Sequence, residues 1–177
     1  MPDPNAGKGE QMTVEQIYDR HFPFVWRSLQ HLGVPAHQLD DAAQDVFVVV
    51  FNKLDDFEGR STLKTWLFGI VHLIALSYFR REKRAQQHDP LDLDLASRER
   101  GPGDALGQAE EAAFLQNFLD TLEEGQRAAF VMADIEEMTA PEISEALGVK
   151  LNTVYSRVRL ARRALARALE RYRRGKP

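Results

Sequence analysis

The chain of 177 residues contains no cysteine, which excludes disulfide staples, thiolate metal sites and catalytic thiols. It has no apolar run near the roughly 20 residues that a bilayer-spanning helix needs, and no apolar secretion segment at its start. A cytoplasmic protein without membrane insertion is expected. Alternating β-branched runs are scarce, whereas Leu, Ala and Arg are plentiful. With 44% apolar and 28% charged residues, the composition predicts an all-α globular protein. No Ser-His-acid grouping supports hydrolysis, and His31, His37, Asp40 and Asp41 lack a spacing suited to a metal ion. Neither an enzyme nor a cofactor is implied, and no internal repeat is present.

What is present is a charge asymmetry. From Lys150 to Lys176 there are ten Lys/Arg against one acid, Glu170, a local +9; the whole chain is −4, which leaves −13 on residues 1–149. One end suits phosphate and the rest does not. The acidic front is expected to weaken DNA binding by the free chain.

Residues 1–12 are polar and expected to be disordered. Order should begin at Thr13-Val-Glu-Gln16, which has the form of a capping box, followed by Val14, Tyr18, Phe22, Val25, Leu29 and Leu32 at helical spacing. Pro23 inside that pattern predicts a kink or a split. A second helix over about 38–54 buries Leu39, Ala43, Val46, Phe47, Val50 and Leu54, with Asp41, Asp45, Val48 and Asn52 on the opposite stripe. After a loop at Phe57-Glu-Gly-Arg-Ser61, capped by Ser61 or Thr62, a third helix runs from about 62 to 84 and buries Leu63, Leu67, Ile70 and Ile74. Residues 85–112 then turn to Asp, Glu, Gly and Pro and read as a flexible acidic linker between two small helical domains, 13–84 and 113–177. Extended at about 3.3 Å per residue, it would reach roughly 90 Å, beyond one duplex turn of about 34 Å.

The second domain ends in a helix-turn-helix. Thr139 and Glu142 form a capping box, Pro141 sits in the first turn, and Gly148 supplies a left-handed stop. Asn152 or Thr153 is expected to cap the second helix. In that helix Val154, Val158, Ala161 and Leu165 face inward. Asn152, Tyr155, Ser156, Arg159 and Arg163 share the other face, where they can read base edges, while Thr153, Arg157 and Arg162 lie on its start and flanks and suit phosphates.

In the front domain, Asp41, Gln44 and Asp45 beside Val48 and Val49 form either a docking surface for a basic protein or a solvated acidic face. Lys64, Trp66, Phe68 and His72, ahead of Tyr78, Phe79 and the Arg80–Arg84 cluster, interleave rings with charges as single-stranded nucleic acid requires. Trp66 lies near the buried stripe, and Phe68 and His72 are placed outward.

Asp41-Ala-Ala-Gln-Asp-Val-Phe47, Phe57-Glu-Gly-Arg-Ser-Thr-Leu-Lys-Thr-Trp-Leu-Phe68 and the C-terminal module together resemble a bacterial RNA polymerase sigma factor of the extracytoplasmic-function class. The resemblance implies a subunit that binds core RNA polymerase, directs it to promoter DNA, helps open the duplex, and is held by an anti-sigma factor. It places Asp41, Gln44, Asp45 and Val48 on the helix that docks on core. It assigns capture of the melted −10 strand to Arg60, Ser61, Thr62, Lys64, Trp66, Phe68, His72, Leu73, Arg80 and Arg81, and −35 reading to the helix from Asn152. Leu73 stands where many members carry Asn, Gly69 where Arg is usual, Glu123 where Pro is common, and Tyr155 where Lys or Arg is frequent. The alternative is a stand-alone two-domain helix-turn-helix regulator.

Overall fold

A computed structural model describes residues 12–88 and 105–174, and among these every regular element is helical. Residues 1–11 of the expected disordered start, most of the expected linker (89–104) and residues 175–177 lie outside the described residues, whereas Met12, expected to be disordered, is half-buried against the core. The first helix, α1, spans Val14–His31. Its capping box forms: the Thr13 amide donates to Gln16 Oε1 at 2.8 Å, and the Gln16 amide donates to Thr13 Oγ1 at 3.3 Å. Pro23 does not split α1. An interior proline costs about 3 kcal/mol. Ile17 before it and Phe24, Val25 and Leu29 after it are all buried, and that burial holds the two parts in one helix. Tyr18, expected in the buried stripe, is 44% exposed.

Gly33, with φ +92°, turns the chain after α1. The space its side chain would fill is taken by the guanidinium of Arg127. A short 3₁₀ turn at Ala36–Gln38 leads into α2, Leu39–Lys53, whose buried and exposed stripes fall as the spacing predicts. Thr62 begins α3 by accepting from the Thr65 amide at 3.1 Å. This helix, Leu63–His88, is longer than expected. The next, α4, spans Ala105–Asp120, so both ends of the expected linker are helical.

Helix α5, Glu124–Phe130, continues into one wide π turn over Val131–Ile135. In that turn the Glu136 amide reaches back to the Val131 carbonyl at 2.9 Å, which swings the Glu136 side chain inward. Helix α6, Ala140–Leu147, is capped as expected: Glu142 Oε2 accepts from the Thr139 amide at 2.8 Å and from its hydroxyl at 2.7 Å. Gly148 ends α6 at φ +61°, and Ser144 ties the turn by donating to the Val149 carbonyl at 2.6 Å. Helix α7, Leu151–Arg174, starts before both of the expected capping residues. The Lys150 carbonyl takes its first bonds, so neither Asn152 nor Thr153 is the cap. Val154, Val158 and Ala161 are buried against α5 and α6.

The two groups of helices, α1–α3 and α4–α7, share one continuous apolar core, with α3 lying against α6. Gly148→Ala forces a side chain into left-handed backbone and should lower stability by about 1 kcal/mol. A thermal melt should read this as a drop of roughly 2–4 °C.

Candidate nucleic-acid and polymerase interfaces

Three surfaces carry the residues singled out by sequence. On α7, Asn152, Tyr155, Arg159 and Arg163 are exposed along one side, Tyr155 by 56%, while Thr153 and Ser156 are half-buried. Ser156 spends its hydroxyl on the Thr153 carbonyl at 2.9 Å. Tyr155, Val158, Arg159, Arg162, Arg163 and Ala166 line a shallow groove with an apolar floor. Arg162 Nε is held by Asp134 at 3.0 Å, so part of its charge is already neutralised. Arg157 leans over Gly125 of α5 instead of projecting into solvent.

The second surface is α2 with α1. Asp41, Gln44, Asp45 and Val48 are all exposed; of these Gln44 and Val48, together with Asp40 and Asn52, border a groove lined by Tyr18, Phe22, Phe47 and Phe51. Val48 is 53% and Phe51 70% exposed. Val49 is only half-exposed and packs on the core. Sequence reasoning missed Tyr18 and Phe51. Phe51 could have been found as an apolar residue three positions after Val48 on a polar stripe.

The Tyr78 hydroxyl, buried beneath α2, donates to Asp45 Oδ2 at 2.7 Å. Burial first, and then the bond to Asp45, push the Tyr78 phenol from 10.0 up to about 12. The neutral form is the one the fold favours, so its contribution is complete below pH 10 and is lost as pH rises toward 12. Alkaline unfolding of the wild type should show a loss on the order of 2 kcal/mol across that window. Chemical denaturation at several pH values should find a flatter profile in Tyr78→Phe.

The third surface, along α3 and the loop before it, departs most from expectation. Phe68 does not point outward; it is fully buried, 6.1 Å from the Phe24 ring. Trp66 is half-buried against Phe57 at 5.1 Å. His72 is also turned in, toward the back helices, and burial, with Arg157 and Arg80 nearby, pushes it down to about 4. Lys64 is bound to Glu136. Arg60 is exposed and pairs with Glu58 at 3.0 Å; Ser61 is half-buried, and Thr62, exposed, uses its hydroxyl as the cap. Leu73 is 67% exposed, Arg80 lies 3.9 Å from Glu124, and Arg81 sits over the Tyr78 ring. Helix α3 is covered on two sides, by α1 and α2 on one and α6 on the other. Its run Leu67-Phe68-Gly69-Ile70-Val71 is apolar all round, the signal that could have placed Phe68.

The described residues include no helix long and apolar enough to cross a membrane. Two family models match in order: sigma-70 region 2 over residues 17–85 and sigma-70 region 4 over 115–165. The RNA polymerase sigma factor CnrH of Cupriavidus metallidurans is 30% identical over 173 residues, covering 93% of this chain and 91% of that one. The ECF RNA polymerase sigma factor SigE of Mycolicibacterium smegmatis is 31% identical over 165 residues, covering 92% of this chain and 64% of its own length. Among solved structures, RpoE of Bartonella quintana in complex with the anti-sigma factor NepR matches with a TM-score of 0.74 at 25% identity, covering 88% of this chain and 96% of that one. CnrH in complex with the cytosolic domain of CnrY matches with a TM-score of 0.68 at 26% identity, covering 92% and 90%. Both halves of the chain, in sequence and in structure, place it in the sigma-70 family of RNA polymerase sigma factors, in the extracytoplasmic-function class.

Proposed function

We infer that this chain is a promoter-specificity subunit: it joins core RNA polymerase, carries it to particular promoters and helps separate the strands there. The observation that carries this reading is the capped, glycine-stopped helix-turn-helix with Arg159 and Arg163 on one exposed face, joined to a front half of the same family. Region 4 supplies duplex readout at the −35 element through α7. Exposed Asp41, Gln44, Asp45 and Val48, with the neighbouring apolar groove, form the core-docking surface on α2. Arg60, Ser61, Thr62, Lys64, Trp66, His72, Leu73, Arg80 and Arg81 surround the strand-capture surface on α3, with Phe68 as its internal support. Extruding a base costs a few kcal/mol, which stacking and a pocket offset.

The chain makes and breaks no bonds itself in this reading and works in the cytoplasm with the polymerase. An anti-sigma factor is a further partner; RpoE is seen with one, NepR. Purified protein added to core and a random promoter library should yield transcripts from a restricted sequence set. A stand-alone regulator would instead bind an operator without core, and failure to co-purify with core would overturn the reading.

A further inference from the structure

Two cations of α7 that suit phosphates by their place in the sequence are already engaged inside the protein. Arg157 is turned onto α5, where a Cβ at Gly125 would stand 2.7 Å from its guanidinium carbon. Arg162 is held by a different element. Its Nε donates to Asp134 Oδ1 at 3.0 Å and to Asp134 Oδ2 at 3.2 Å. Asp134 belongs to the wide turn Val131–Ile135, which brings it against an arginine 28 positions further along the chain. The arginine side chain stays 60% exposed, whereas that of the aspartate is 27% exposed. Arg162 lines the groove of α7 together with Arg159 and Arg163, so Asp134 is an acid set at the rim of a surface of three arginines.

An exposed ion pair adds little to stability. The fold does not depend on it, because Val154, Val158 and Ala161 already bury the inner side of α7. What the pair changes is the charge that a duplex meets. Attraction that ignores sequence grows with the number of phosphates neutralised by uncompensated cations, each releasing condensed counterions. A guanidinium facing a carboxylate brings almost no net charge, so it releases few. Base reading by Arg159 and Arg163 does not pass through this pair. We propose that Asp134 masks Arg162 and thereby holds down the affinity of α7 for duplex DNA of any sequence, so that binding depends on the base contacts of Arg159 and Arg163. A chain with this residue is retained less on DNA that lacks a promoter. The proposal rests on the reading of α7 as the duplex-reading helix and adds to it how the grip on phosphates is limited.

Titration of the full chain with a fluorescent duplex that carries no promoter, repeated over a range of salt, tests this. Asp134→Asn keeps the shape of the side chain and removes its charge. It should bind at least about threefold more tightly at low salt, and the fall of log affinity with log salt should steepen by about 0.9, the value of one further phosphate. Loss of any acid draws DNA a little closer, so the same substitution is also made on Arg162→Ala. In that background it should alter neither the affinity nor the slope. Thermal melts of all variants should lie within roughly 4 °C of wild type, as loss of an exposed pair allows. An unchanged slope in Asp134→Asn overturns the proposal. So does an equal gain in both backgrounds, which would make Asp134 one repulsive charge among many. Wild-type protein with core and a random promoter library keeps the two ideas apart. Absence of directed transcript removes the sigma-factor reading, whereas directed transcript with an unchanged salt slope removes only the masking.

Discussion

Asp45→Arg is expected to cut retention of the chain by core RNA polymerase by about a hundredfold. Reversing one member of a close interfacial charge pair costs on the order of 2–5 kcal/mol, because it removes an attraction and leaves the partner charge opposed. Asp45 is exposed on α2, and one of its oxygens is already held by the Tyr78 hydroxyl at 2.7 Å. That bond fixes the carboxylate before any partner arrives, so less side-chain freedom is lost on docking. Tyr78→Phe therefore serves as the graded control: it keeps the charge, frees the carboxylate and should weaken retention by only a few-fold. Quantitative pull-down of purified core by immobilised variants would check both. Retention of Asp45→Arg at the wild-type level would remove α2 from the docking surface.

Arg159→Glu should abolish promoter-directed transcription while leaving core retention intact. An arginine that reads guanine through two hydrogen bonds supplies about 1–3 kcal/mol of discrimination. An acid in its place adds repulsion from the phosphates, so the fall in specific transcript should be at least about a hundredfold. Arg162→Ala provides the contrast. Its guanidinium already pairs with Asp134 at 3.0 Å, so its removal should cost under about threefold, spread evenly over promoter sequences. Run-off transcription on one strong promoter and one scrambled template separates the two effects. Equal loss from Arg159→Glu and Arg162→Ala would sink the placement of the reading face on α7.

Much of this architecture was legible from local chemistry. The capping pairs Thr13–Gln16 and Thr139–Glu142, the left-handed Gly148 and the two-sided pattern of α2 depend on residues within a turn or two of one another, and all occur in the structure. The exposed side of α7, with Asn152, Tyr155, Arg159 and Arg163, was equally accessible, although Ser156 on it is half-buried. What escaped depends on long-range packing. A helical wheel assigns α3 one inner and one outer face, whereas Phe68 packs on Phe24 of α1 and His72 shares a cleft with Leu122, Glu124 and Arg127 of the back half; both were misplaced for that reason. Glu136 carried no local mark among the many acids of the front 149 residues. Its importance comes from Arg27 and Lys64, which lie 109 and 72 positions away. The start of α7 was misjudged by a smaller margin, because Lys150 offers its backbone carbonyl where a side-chain cap was expected.

Gly33 and Arg127 compete for one volume, since the guanidinium fills the place of a side chain at position 33. The arginine is anchored there by the Leu119 carbonyl at 2.7 Å and Asp120 at 3.4 Å, facing the Phe79 ring. Among homologues these two positions should therefore covary: lineages that keep the arginine retain glycine, and those that acquire a side chain at the turn replace the arginine with something shorter.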